Sequence, residues 1–348
     1  MNNPPVGSVE TAKLIRESVT QRLLGQSAFR GFLTLPGIPA MIDDYVTICA
    51  KLSADVGREF SDEERARVKR RLKREFARVS STSSHATVSI VFMGGVGRPV
   101  RFHVTAQAGT LEGGYSHWLS IREPPLFGSE PDARVWALAD EAADPRTHRV
   151  LDIGAGTGRN ALPLARRGHP VDVVELTEDF AEMIRSEAEQ QSLDVRVIAR
   201  DVFSSMDDLR RDYQLILLSG VVSDFGATQQ LRGLFELADQ CLVPGGRLLF
   251  NTFLVRDGHT LDNVAREFAQ RCHTSFFTRD EIDTAAAGLP LELVADDPVY
   301  DYEKAHLPQG AWPPTGWYEN WVCGLEPFPV PAEMSPIEMH WLVYQKTQ

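Results

Sequence analysis

The chain has 348 residues, 43% hydrophobic and 24% charged, which suffices for one large domain with an addition or for two modest ones, with a core that needs no staples. A net charge of −12 and a pI near 5.3 repel nucleic acid on average, because affinity for a phosphate backbone comes largely from Lys and Arg. No apolar run approaches the roughly 18 to 20 residues of a membrane span. The start MNNPPVGSVE carries neither a basic nor an apolar region, and Cys49, Cys241, Cys272 and Cys323 form no C-x-x-C pair. The expectation is a cytoplasmic protein with reduced thiols and no metal.

In chain order, residues 8–25, 37–56 and 61–79 carry helical periodicity, the third opening with a capping box of Ser61 and Glu64. This third helix holds Arg65, Arg67, Lys69, Arg70, Arg71, Lys73, Arg74 and Arg78. They offer a face to RNA or, given the glutamates at the helix start and the lack of interleaved aromatics, a solvated surface. β-rich runs at 86–93 and 99–106 follow, joined by the hairpin loop Gly94-Gly95-Val96-Gly97-Arg98.

From residue 148 short β runs alternate with helical stretches, the rhythm of a parallel sheet built from βαβ units. Strands are predicted at 148–153, 170–175, 194–199, 213–218, 246–253, 291–297 and 338–346. Helices are predicted at 158–167, 178–191, 227–240, 260–270 and 278–287. The fold class is therefore α/β: a Rossmann-like, seven-stranded, mostly parallel sheet with helices on both faces, plus an N-terminal helical and β-hairpin extension. The domains divide as 1–140, supplying part of a substrate pocket or a homodimer contact, and 141–348. Within the latter, 298–337 is rich in Pro and aromatics and longer than an ordinary connection, as functional or disordered insertions are.

In an open α/β sheet, ligands bind beyond the carboxyl ends of the strands, and the first βα turn is the usual contact. Here that turn reads Val150-Leu-Asp-Ile-Gly-Ala-Gly-Thr-Gly-Arg-Asn160. Gly154, Gly156 and Gly158 permit φ > 0 and let a ligand lie against the backbone, while the next helix offers free N–H groups to an anion. A dinucleotide and S-adenosylmethionine compete for such a loop. The dinucleotide fingerprint needs a third glycine three residues after Gly156, where this chain has Arg159. Asp152 ends the first strand, Glu175 the second and Asp201 the third. Glu175 is placed to accept both ribose hydroxyls and Asp201 an adenine amino group, or each caps the helix that follows.

On Leu151 to Asn160, Glu175, Asp201 and Val243-Pro-Gly-Gly-Arg-Leu-Leu249, the sequence resembles the class I S-adenosylmethionine-dependent methyltransferases. The Gly-Arg-Asn loop ending and Pro163-Leu-Ala-Arg-Arg-Gly-His-Pro-Val-Asp172 are similar to the tellurite-resistance type of that superfamily. The resemblance covers roughly 148–255. It implies S-adenosyl-L-methionine as cofactor, with its methionine part against Gly154, Gly156 and Gly158; Asn160 and Ser219 are further candidates along the cofactor. It further implies Asp152 on the amino group, directly or through water, Glu175 on the ribose, Asp201 on the adenine, and Leu176 and Val202 flanking the purine. The acceptor is not inherited with it.

Three segments can fold over the strand ends to hold an acceptor. Leu217 to Phe225 carries Ser223 for substrate and Asp224 as a general base, or as an N-cap for the helix starting near Ala227. Gly113-Gly-Tyr-Ser-His-Trp118 reads as a mobile lid presenting Tyr115 and His117 as catalytic polar tips and Trp118 to substrate. Trp317, Tyr318 and Trp321 in the long insert form a cage for a cation or anchor the insert in the core. The leading expectation is methyl transfer to the O, N or S atom of a small molecule. A thioether giving a sulfonium product, an RNA or other macromolecule docked on the basic helix at 65–78, and a regulatory protein without chemistry are the alternatives.

Overall fold

The computed structural model describes residues 6–26, 28–55, 59–79, 86–95 and 100–348. Two compact units divide between Thr110 and Leu111. The first runs α1 (Val6–Gln26), β1 (Ala28–Pro36), α2 (Ile42–Asp55), α3 (Asp62–Val79), β2 (Thr87–Gly95) and β3 (Arg101–Gln107). Its strands form an antiparallel sheet in the order β1-β2-β3, and α2 and α3 cover one face of it with Tyr45, Leu72 and Phe76 packed on Ile90 and Val104. Ser61 and Glu64 make the expected reciprocal cap at the start of α3.

The strand β1 was not read from the sequence, where Gly31 and the flanking helical patterns mask its alternation. Residues 37–41 are not part of α2: Gly37 donates to the Ala86 carbonyl at 2.8 Å and Ile38 is extended. The helix begins only after the Pro39 turn. On α3, Val68, Leu72, Phe76 and Val79 recur at helical spacing and are buried. Part of its basic face is tied down: Arg71 donates to the Phe102 carbonyl and Lys69 pairs with Asp43. Part of the Gly94–Arg98 loop lies outside the described residues.

The second unit opens with α4 (Leu111–Ile121) and α5 (Ala133–Asp140), neither predicted. It continues β4 (Val150–Ile153), α6 (Ala161–Arg166), β5 (Val171–Glu175), α7 (Glu178–Gln190), β6 (Val195–Ala199), β7 (Tyr213–Leu218), α8 (Thr228–Cys241) and β8 (Leu242–Val255). Then come α9 (Asn263–Arg271), β9 (Phe276–Phe277), α10 (Arg279–Ala286), β10 (Leu291–Pro298), α11 (Val299–His306), α12 (Tyr318–Val322) and β11 (Ile337–Lys346). The seven predicted strands are all present, and the two-residue β9 adds an eighth beside β8. Their order is β10-β11-β8-β7-β4-β5-β6, parallel from β8 to β6 and antiparallel at β11.

Both faces of this sheet are buried, as parallel sheets require. Val150, Leu215, Leu217 and Phe253 face one cluster, and Leu151, Ile153, Ile216 and Phe250 the other. Val135, Leu138 and Ala139 of α5 pack into the first cluster, so α5 belongs with the sheet although it precedes residue 140. The insert packs there too, through Val299, Tyr318, Trp321 and Val322. Glu303 on α11 accepts the Ala133 and Arg134 N–H groups at the start of α5 and the Trp341 indole N–H. No described helix is long and apolar enough to cross a membrane.

The chain passes from β4 outward to β5 and β6, then returns to β7 on the other side of β4. That reversal opens a crevice at the carboxyl ends of β4 and β7, the position where α/β sheets bind ligands.

Candidate active site

A cavity of about 540 Å³ fills this crevice, with the β4 to β6 loops on its wall together with α4 and α12. The glycine bend follows β4 directly, with Gly154 and Gly156 at φ values of 67° and 56°. A Cβ on Gly154 would lie 2.4 Å from a Val221 methyl, and one on Gly156 3.0 Å from the Phe127 ring. Both positions therefore need glycine for conformation and for space. Gly158 does not line the cavity; its missing Cβ leaves room for Leu162 and Ile184, 2.9 and 3.1 Å away, so it serves the packing of the following helix.

The three strand-end acids are in the wall, each held differently. Glu175 accepts the Gly156 N–H at 2.9 Å and the Thr177 N–H at 2.8 Å, which stitches the glycine bend to the tip of β5. Burial raises its pKa, partly offset by those donors. Asp201 does cap a turn, accepting from Phe203 and Ser204 through Oδ1. Leu176 and Val202 line the cavity beside them, and Leu176 is 36% exposed.

Asp152 is 2% exposed, and its Oδ2 has no hydrogen-bond partner. Burial first, then the nearby Asp132 and Glu175 carboxylates, push its pKa up to about 8 against the pull of Arg159. A positive ligand beside it would favour the ionised form that burial suppresses. Arg159, standing where a dinucleotide loop has glycine, is itself taken by Asp132 at 2.7 Å. Asn160 and Ser219 line the cavity, but their side chains donate to the same Asp132 at 2.8 and 2.6 Å. They fix the loop through that buried acid, which sequence reasoning missed.

Part of the wall is aromatic. Trp118 stacks on Phe127 with ring centres 5.0 Å apart, and Trp317, Tyr318 and Trp321 line the same space. Tyr318 and Trp321 are buried in the core, so they are anchors of the insert as well as wall. Gly113 to Trp118 lies within α4 instead of forming a loose lid. His117 falls in that helix with its side chain outside those described.

Asp224 does not cap α8, whose N-cap is Ala227 with no side-chain bond. Its Oδ2 accepts the Tyr115 hydroxyl at 2.7 Å, and its Oδ1 meets His273 Nδ1 at 2.7 Å. Burial and Asp224 hold the Tyr115 phenol protonated well above its usual range. Burial alone would lower His273, but the bond to Asp224 and its charge raise it above 6.5. Ser223 is buried away from the cavity; its hydroxyl donates to the Gly220 carbonyl, and its own carbonyl accepts the Ser275 N–H. Nothing in the sequence flagged His273, an isolated histidine in the turn between α9 and β9. Its left-handed φ of 54° is the only local peculiarity.

A family model described as a methyltransferase domain matches residues 150–246. Among solved structures the chain is similar to geranyl diphosphate C-methyltransferase from Streptomyces coelicolor A3(2), at 18% identity and a TM-score of 0.45 over 62% of this chain and 80% of that one. It is also similar to a geranyl diphosphate methyltransferase in complex with SAM (17%, 0.47, 62% and 84%) and to the [4+2]-cyclase SpnF (16%, 0.44, 62% and 80%). No curated protein gave a significant match. The stretch from 150 to 246 therefore matches a methyltransferase domain.

Proposed function

We propose that the second unit binds S-adenosylmethionine across the tips of β4, β5 and β6 and methylates a small, largely apolar molecule held against the aromatic wall. The observation that carries this reading is the unpartnered Oδ2 of Asp152 beside a bend that a Cβ at Gly154 or Gly156 would fill. An orphaned buried carboxylate in a ligand-sized cavity fits a donor that brings a positive amino group. Bound there, the donor supplies an electrophilic methyl on a sulfonium.

In this reading Asp152 holds the amino group, and Gly154 and Gly156 lie against the methionine part. Glu175 keeps lone pairs for the ribose hydroxyls while it holds the bend. Asp201 serves the adenine edge, with Leu176 and Val202 on the ring faces. Asn160 and Ser219 act through Asp132, and the Gly158-Arg159-Asn160 ending keeps the likeness to the tellurite-resistance type within the proposal. Alignment and exclusion of water by Trp118, Phe127 and Trp317 supply much of the catalysis, because an in-line displacement is mostly a matter of geometry.

The test is release of S-adenosylhomocysteine from a panel of small acceptors, with mass spectrometry of the product. A methylated small molecule is the expected result. Turnover only with RNA or protein acceptors contradicts it.

A further inference from the structure

His273 and Asp224 reach the cavity from separate loops, yet their relative position is fixed twice over. The Ser275 N–H donates to the Ser223 carbonyl at 2.8 Å, tying the two loops together next to the pair. The Trp321 indole N–H donates to the His273 carbonyl at 3.0 Å, holding the strained left-handed residue in place. Asp224 is 8% exposed at its side chain and accepts from both Tyr115 and His273, whereas the His273 side chain is 44% exposed and lines the cavity. With Nδ1 engaged by the carboxylate, Nε2 is the ring nitrogen left for a ligand. Other ionisable groups nearby are Tyr115 on α4, Cys272 beside the histidine, Glu326 beyond α12, and Asp152 and Glu175 on the donor side. Among the described residues only Asp224 bonds to the ring.

A carboxylate that orients an imidazole and stabilises its protonated form is the arrangement of a general base. A thioether or tertiary amine carries no proton to lose, so this pair would have no task with such an acceptor. The other rings lining the cavity, Trp118, Phe127, Phe180, Phe225 and Trp317 among them, suit a flat apolar body.

We propose that His273, oriented by Asp224, is the general base of the reaction, and that the acceptor is an aromatic hydroxyl compound. This rests on reading the cavity as a methyl-transfer site. The acceptor's O–H proton passes to Nε2, its oxygen lone pair forms the new bond to the methyl carbon, and the sulfur–methyl bond breaks with its electrons remaining on sulfur. The imidazolium then returns the proton to solvent. Tyr115 is a positioning residue, donating to Asp224 and moderating its basicity.

The experiment uses the full chain with 4-nitrophenol as probe and S-adenosylhomocysteine present. At a pH below that of the probe's own ionisation, binding to the wild type should generate the phenolate absorption band. His273→Asn, chosen because Asn tolerates positive φ, should lose the band, while calorimetry gives an S-adenosylmethionine affinity within about twofold of wild type. For a phenol that turns over, kcat should fall about 100- to 10,000-fold in His273→Asn. The acid limb of kcat should move to lower pH in Asp224→Asn and to higher pH in Tyr115→Phe, opposite shifts that a structural role would not give. An unchanged band or pH limb in the variants, no binding of 4-nitrophenol, or turnover confined to thioethers overturns the inference. Failure of the wild type to bind S-adenosylmethionine instead removes the underlying reading.

Discussion

The two sides of the cavity are built by different means. On the donor side the strand-end acids Glu175 and Asp201 are held by backbone N–H groups over short stretches of chain, Gly156 to Glu175 and Phe203 to Asp201, 19 and 2 residues apart. On the acceptor side, side chains converge from afar: Tyr115 meets Asp224 across 109 residues, and Asp224 meets His273 across 49. A site made from backbone imposes spacing on its glycines and acids. A site made from side chains needs only that the fold deliver single residues to one place.

This difference can be broken or sharpened by substitution. The largest effect is expected from Glu175→Ala, which leaves the Gly156 and Thr177 N–H groups unpaired at about 1 to 3 kcal/mol each. Its S-adenosylmethionine affinity should fall about 100-fold or more by calorimetry, with Glu175→Gln milder. Next comes Asp152→Asn, which removes a charge-assisted bond and should weaken binding about 10- to 100-fold. An affinity loss in His273→Asn as large as these would erase the distinction between the two sides. On the acceptor side, Trp317→Ala should raise KM for the acceptor about tenfold through lost apolar contact, leaving donor affinity near wild type in the same assay.

The smallest effect is the most specific. Burial pushes the Asp152 pKa up to about 8, so below that pH the carboxyl is largely protonated. A cationic ligand favours the ionised form, so binding should release protons below pH 8, and affinity should rise with pH until about 8 and then level. Calorimetry in buffers of different ionisation enthalpy should show this release in the wild type and its loss in Asp152→Asn.

The same division decides what could be read from the sequence. The strand ends and the acids at 152, 175 and 201 were legible because apolar runs of parallel strands and regularly spaced glycines are local signals. So was Arg159 as an obstacle to a dinucleotide, although its partner Asp132 was not. Gly158 carried the spacing but not the role, since whether a glycine faces a ligand or a neighbouring helix depends on packing. Helix α4 was hidden by Gly113 and Gly114, which read as a loop until tertiary contacts outweigh their propensity. His273 had no motif around it, and Ser223 and Asp224, adjacent in sequence, diverge in the turn, one into the core and one into the cavity.

The most direct test of the account is a calorimetric titration of the full chain with S-adenosylmethionine, wild type beside Gly156→Val. A β-branched side chain there would sit at a φ of 56° and press on the Phe127 ring. One-to-one binding by the wild type, with an affinity loss of at least about 100-fold in a variant that keeps its far-UV spectrum, is the predicted result. Equal affinity in the two proteins, or preference of the wild type for a nicotinamide dinucleotide, would contradict it.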